Sequence, residues 1–204
     1  MLGVILCGGN STRMGKDKGL IPVDTKTWAG LAIEKMTALG IPVALSVNDR
    51  QHPIYRQIFS SQHIIPDNPV FSLKGPLAGL LSVHADSPAE DIFVLACDLP
   101  LMEPSLLENL YQRRKQQDKA QVYLYTNDAG PEPLCAIYSA SGLDLITGLY
   151  QAQQLARDSM KYALNQLVVE VLSIPEDKKK CFENFNYPSG SNPPKDQPFE
   201  AHAS

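Results

Sequence analysis

Met1–Pro22 reads MLGVILCGGNSTRMGKDKGLIP, and the rest of the chain is organised around it. The apolar run Leu2 to Leu6 stops at Cys7-Gly8-Gly9. Small polar residues (Asn10, Ser11, Thr12) follow, with three basic residues (Arg13, Lys16, Lys18) and two further glycines (Gly15, Gly19). A short apolar run bounded by glycine predicts a buried strand. A basic, glycine-rich loop after such a strand predicts a receptacle for phosphate. Glycine lets the backbone approach a ligand closely, and successive backbone N–H groups form an anion-binding nest. Two common phosphate loops are excluded by spacing. The P-loop separates its glycines by four residues and continues with Lys and Ser or Thr; here five residues separate Gly9 from Gly15, and Asp17 follows Lys16. The dinucleotide fingerprint needs G-x-G-x-x-G, and Gly8, Gly9, Gly15 and Gly19 contain no G-x-G.

Outward from the loop, apolar periodicity alternates between strand and helix. Leu20–Val23 is a short apolar return. Trp28 to Leu39 carries a helical rhythm that stops at Gly40, a fitting C-terminal residue. Ile41–Val47 predicts a strand, Tyr55–Phe59 a short helix and Ile64-Ile65 a short strand. Pro76 sits at an early helical position, where its missing N–H costs nothing, and opens a helix through His84. Asp91–Cys97 is the most strand-like run, followed by a helix from Pro104 to about Lys115. Gln121–Tyr125 and Pro133–Tyr138 predict strands, Leu143–Ala156 and Ser159–Leu167 helices, and Val168–Ile174 a last strand. From Pro188 onward the chain is polar and proline-rich, so residues 1–188 are expected to form one domain and 189–204 a disordered tail. Strand and helix in alternation predict an α/β fold, a three-layer α/β/α sandwich around a mostly parallel mixed sheet. In such sheets ligands bind beyond the carboxyl ends of the strands. The residues expected to share that edge are the Gly8–Gly19 loop, Asn48, Asp67 and Asp98.

Composition narrows the function. The chain has 204 residues, of which 44% are apolar and 20% charged, with a formal net charge of −4. No domain-wide basic field exists for a nucleic-acid backbone. No apolar run approaches the roughly 18 residues of a membrane span, and no secretory leader opens the chain. The four cysteines (Cys7, Cys97, Cys135, Cys181) include no C-x-x-C pair, which points away from zinc and toward a reducing, cytoplasmic setting. The histidines (His52, His63, His84, His202) lack metal-ligand spacing.

The loop pattern L-x-G-G-x-S-x-R-M-G-x-D-K, from Leu6 to Lys18, resembles the signature loop of nucleotidyltransferases, in the branch containing molybdenum cofactor guanylyltransferase. The likeness continues through Pro66-Asp67 and Gly75-Pro76-Leu77-Ala78-Gly79-Leu80, then Ala96-Cys97-Asp98-Leu99-Pro100. It extends to Glu132-Pro133-Leu134-Cys135-Ala136-Ile137-Tyr138 and Asn184-Phe185-Asn186-Tyr187-Pro188. Three departures stand out: Cys7 where alanine is usual, Tyr187 for threonine, and no G-K-P-[LM] after the loop.

The resemblance implies transfer of GMP from GTP to the terminal phosphate of molybdopterin, with release of pyrophosphate. The alternatives it leaves are a CTP-dependent or sugar-phosphate nucleotidyltransferase and an inactive nucleotide-binding module. It implies Mg²⁺ held by Asp98, with Arg13, Lys18 and Asp98 catalytic. Leu6, Cys7, Gly8, Gly9, Lys18, Asn48, Asp67, Gly75 and Asp98 would contact the nucleotide, and Asn184 and Asn186 the acceptor. Molybdenum-insertion and molybdoenzyme maturation proteins are the partners it implies. The chemistry agrees with the residues available. A phosphate acceptor is already anionic and needs no general base, so cations and a metal suffice. Arginine suits a bidentate grip on phosphate, lysine a point charge.

Overall fold

The computed structural model describes residues 1–8, 17–157 and 159–185. The strands are β1 (Leu2–Leu6), β2 (Pro22–Val23), β3 (Lys26–Thr27), β4 (Val43–Val47), β5 (His63–Pro66), β6 (Ile92–Ala96), β7 (Val122–Asn127), β8 (Gly130–Tyr138) and β9 (Val169–Ser173). The helices are α1 (Trp28–Thr37), α2 (His52–Ile58), α3 (Pro76–Asp86), α4 (Pro104–Gln116), α5 (Ala140–Gln151) and α6 (Met160–Leu164), with 3₁₀ turns at Lys18–Leu20 and Glu176–Phe182. A seven-stranded sheet runs in the order β5-β4-β1-β6-β8-β7-β9. Only β8 opposes its neighbours; the other pairings are parallel. The α/β fold is therefore as expected from the sequence.

Strand alternation builds the two faces. Ile5, Leu45, Phe93, Leu95, Tyr123, Tyr125 and Ile137 point to the side covered by α1, α2 and α4. Val4, Ala44, Val94, Leu124 and Ala136 point to the side covered by α3, α5 and α6. The central strands β1 and β6 are buried along their whole length, as continuous apolar runs in a parallel sheet require. No described helix is long and apolar enough to cross a membrane.

Several elements differ from the sequence reading, each for a local reason. Pro22–Val23 and Lys26–Thr27 close a two-stranded hairpin, with Asp24 in the left-handed region at φ 51°. Thr27 then caps α1 by accepting from the Gly30 N–H at 3.2 Å. Thr27 thus starts this helix without the motif usual at that place. Helix α5 begins and ends earlier than predicted, because Ser139 caps it through the Gly142 N–H at 3.1 Å. Gln153, at φ 57°, lies just past its end. Glu176–Phe182, a charged run that carried no strand or helix pattern, forms a 3₁₀ turn that buries Cys181 and Phe182. The expected tail falls outside the described residues.

Candidate active site

The carboxyl ends of β1, β4, β5 and β6 lie side by side, and the site is built on them. A cavity of about 150 Å³ opens there, lined by Leu6, Gly8, Ser46, Asn48, Asp67 and the start of α3 from Gly75 to Gly79, with Leu73 and Lys74 at its side. Ligand pockets commonly span roughly 300–1,000 Å³, so the cavity would enclose only part of a ligand of that size. Gly75 sits at φ 72° ahead of α3, a conformation glycine adopts without strain. The first turn of α3 borders the cavity through Pro76, which has no N–H, and Ala78, whose N–H bonds Gly75 O at 3.1 Å. A Cβ on Gly79 would stand 2.7 Å from Ser46 Oγ, so the absence of a side chain there keeps the cavity open.

Asp67 follows β5, with its N–H bonded to Val47 O at 2.9 Å. Burial, and then the nearby Asp49 charge, push its carboxyl above the ordinary carboxylate range. Asn48 ends β4 and does two things. It lines the cavity, and its Oδ1 accepts from the N–H groups of Arg50 and Gln51, each at 3.0 Å. Its side chain is therefore also the turn former of the strand-to-helix connection.

One strand over, Lys18 Nζ donates to Asp98 Oδ2 at 2.9 Å, with both side chains 20% exposed. Asp98 follows β6 directly, and the Cys97 N–H bonds Leu6 O at 3.1 Å, so the pair is anchored to the two central strands. The turn after Asp98 is braced by Lys35, whose Nζ donates to Pro100 O at 2.6 Å. Burial lowers the pKa of that lysine. On the far side the Phe185 N–H bonds Asp98 O at 3.1 Å, and its ring meets Trp28 edge-on at 6.2 Å. This carries the segment with Asn184, itself exposed, to the Asp98 turn.

Leu6, Gly8, Asn48, Asp67 and Gly75 thus gather around one cavity, and Lys18 and Asp98 pair beside it. Cys7 turns away. Its thiol is buried in the core on the α1 side, in hydrogen-bonding reach of Cys97, whose own pKa that contact and burial raise. Only the backbone of Cys7 faces the loop. Gly9, Arg13 and Asn186 lie outside the described residues. Ser46, Leu73 and Lys74 line the cavity without having been singled out from the sequence. The alternation of β4 marks Ser46 as the polar residue on the α3 face, a signal that was available. Asp17 is the other residue passed over. Its carboxylate accepts from Gly19 N at 3.0 Å, Tyr55 Oη at 2.9 Å and Gln51 Nε2 at 2.7 Å.

Among the described residues no group of three or more His, Cys, Asp or Glu side chains could hold a metal ion. The donor set at Asp98 is one carboxylate. Mg²⁺ commonly takes one or two protein carboxylates together with substrate phosphates and waters, so Asp98 fits a metal that arrives with a nucleotide.

Residues 3–168 match the family model described as MobA-like NTP transferase domain. The chain is 28% identical over 182 residues to a probable molybdenum cofactor guanylyltransferase of Flavobacterium johnsoniae, covering 89% of this chain and 90% of that one. It is 27% identical over 187 residues to the corresponding probable enzyme of Methanothermobacter thermautotrophicus, with coverages of 90% and 93%. The solved structure of molybdopterin-guanine dinucleotide biosynthesis protein A from Archaeoglobus fulgidus superposes with a TM-score of 0.74 at 22% identity, covering 92% of this chain and 93% of that one.

Proposed function

The chain belongs to the family of MobA-like NTP transferase domains, and on that premise we propose that it is a molybdenum cofactor guanylyltransferase, moving GMP from GTP to the terminal phosphate of molybdopterin and releasing pyrophosphate. The observation that carries this reading is the Lys18–Asp98 pair standing beside a base-sized cavity that holds a half-buried carboxylate, Asp67. The catalytic unit proposed is residues 1–188.

In this reading the donor's base enters the cavity. Guanine offers two adjacent donor groups, N1–H and N2–H₂, which suit the two acceptor oxygens of a carboxylate. Asp67 accepts them, and Asn48 and the α3 N-terminus close around the nucleoside. The phosphates run along the strand ends toward Lys18. Lys18 neutralises charge on the leaving pyrophosphate, and Arg13 shares that task. Asp98 would hold Mg²⁺, which when bound would supply further neutralisation of charge on the reacting phosphoryl group. In the ligand-free chain Lys18 and Asp98 hold each other at 2.9 Å, which keeps both half-buried charges compensated until substrate takes them up. The acceptor oxygen is already anionic, so the protein moves no proton from it; the work is holding two polyanions in line. Asn184 and Asn186 border the acceptor. His84 is buried near the C-terminal end of α3, with its Nε2 2.9 Å from Asp144 Oδ1.

Pyrophosphate release with molybdopterin as acceptor, measured against GTP, ATP, CTP and UTP in turn, tests the reading. GTP is expected to be preferred by at least about tenfold, the scale of one lost or mispaired hydrogen bond in a binding pocket. Preference for CTP would reassign the chain to cytidylyl transfer, and turnover only with a sugar phosphate would reassign the acceptor. No turnover with any donor would leave a binding module.

A further inference from the structure

We propose that Gln51 and Asp17 form a positioning unit that fastens both feet of the phosphate loop and so fixes Lys18 against Asp98. The inference rests on the nucleotidyl-transfer reading above. The loop leaves β1 at Cys7-Gly8 and returns at Asp17-Lys18. Gln51, at the start of α2, touches both ends. Its Nε2 donates to Cys7 O at 3.0 Å and to Asp17 Oδ2 at 2.7 Å. Its Oε1 accepts from Asn48 N at 3.0 Å. Both N–H bonds of the amide and its oxygen are thus engaged, each on a different segment: the end of β1, the end of β4 and the return of the loop. One side chain ties the nucleoside side of the site to its phosphate side.

Asp17 passes this fixation on. Besides Gln51, its carboxylate takes the Gly19 N–H and the Tyr55 hydroxyl. The Gly19 bond caps the 3₁₀ turn Lys18–Leu20, so the backbone that carries Lys18 is held directly. Tyr55 is fully buried on α2, and burial, together with the neighbouring Asp17 carboxylate, holds its hydroxyl in the protonated, donating form. A Cβ on Gly19 would lie 2.2 Å from that hydroxyl; the turn sits this close to α2 only because residue 19 is glycine. A carboxylate with three donors in a half-buried setting is a rigid mount, since charge-assisted bonds are shorter and stronger than neutral ones. The chain of contacts runs from Cys7 through Gln51, Asp17 and Lys18 to Asp98, and joins the ends of the two central strands. Neither Gln51 nor Asp17 need touch substrate to matter, because a displacement of about 1 Å in a catalytic group is enough to cost about a hundredfold in rate.

The test compares kcat, KM for the triphosphate and melting temperature for Gln51→Leu, Asp17→Asn, the double variant, and Gln51→Leu in a Lys18→Ala background, using whichever triphosphate the unaltered chain turns over. Gln51→Leu and Asp17→Asn are each expected to lower kcat roughly tenfold to hundredfold, the effect of losing a hydrogen bond to a charged group, when assayed well below their melting temperatures. The double variant should be no worse than the poorer single one, as for two parts of one unit. With Lys18 gone, removing Gln51 should cost less than threefold more. If either single variant does not fold, Tyr55→Phe, which keeps the buried ring, carries the test with an expected kcat loss of a few fold. Full kcat in Gln51→Leu, losses that multiply in the double variant, or an undiminished Gln51 effect without Lys18 would overturn the proposal. An unaltered chain inactive with all four triphosphates overturns the transfer reading and this proposal with it; an active one with indifferent variants overturns this proposal alone.

Discussion

The sheet half built from β5, β4, β1 and β6 and the half built from β8, β7 and β9 share one core yet spend their buried polar groups differently. Tyrosines make the contrast. Tyr123, Tyr125 and Tyr138, on β7 and β8, are buried and donate to backbone carbonyls: Gln117 O at 2.7 Å, Leu106 O at 3.0 Å and Pro133 O at 2.9 Å. Tyr55, equally buried, donates to the Asp17 carboxylate beside Lys18. In the half that contains the reversed strand β8 the hydroxyls close the structure on itself. In the parallel half the polar groups face a cavity or hold a charge near one. The cause is topological. Parallel strands end at the same edge, and β5, β4, β1 and β6 are neighbours there, whereas the reversed strand β8 sends its own end to the opposite edge and separates β7 and β9 from that group.

The largest way to break this comparison is Asp98→Ala. Pyrophosphate release is expected to fall at least about 10²–10³-fold, the range found when one group stabilising transition-state charge is removed. The melting temperature should change by only a few degrees, because Asp98 follows β6 at the sheet's carboxyl edge and the ion pair it loses is between partly exposed side chains. Activity within a few fold of the unaltered chain would show that the charge pair at β6 is not where transfer happens.

A mid-sized effect is expected from Tyr125→Phe in the other half. Its hydroxyl both donates to Leu106 O and accepts from Asn109 Nδ2 at 3.0 Å. Deleting it should cost about 1–2 kcal/mol of stability in chemical denaturation and leave kcat and KM unchanged. A change in kcat without a change in stability would remove the division of labour between the two halves.

This division explains what could be read from the sequence. The buried strands β1 and β6, and the acids and amide that follow the parallel strands, are visible as apolar runs that end in polar residues. In a mostly parallel sheet they were expected to share an edge. The roles of Gln51 and of Asp17, itself part of the loop pattern, were not visible, because they depend on α2 returning against the loop, a long-range contact that no local pattern carries. The direction of the Cys7 side chain was not visible for a related reason. A run of apolar residues gives no phase, so it does not say which side of the sheet residue 7 faces; pairing with Cys97 and Tyr55 turns it into the core. The 3₁₀ turn at Glu176–Phe182 hid behind five consecutive charged residues, although its last two residues anchor the segment that reaches Asp98.

The smallest expected effect is also the one with two signs. Asp67 has a carboxyl raised above its ordinary range by burial and by Asp49. For a raised acid the folded state holds the proton more tightly than the unfolded chain. Its contribution to stability is therefore fully present below the ordinary carboxylate pKa, and is lost as pH rises through the raised value. At pH 7 the charged, half-buried carboxylate is a cost to the ligand-free fold. Asp67→Asn removes that cost with almost no change in shape, so the ligand-free chain should melt slightly higher than the unaltered one at pH 7, the gap closing as pH falls through the carboxylate range. The same substitution exchanges an acceptor oxygen for an N–H₂ donor that faces the donors of guanine. The rise in melting temperature given by Mg²⁺ and GTP, which follows mass action, should then shrink. A higher melting point without ligand and a smaller gain with it, in one variant, is the signature of a carboxylate held in the cavity for binding at the expense of stability. A lower melting point without ligand, or an undiminished gain with GTP, would return Asp67 to the role of a turn residue and leave the cavity without its acceptor.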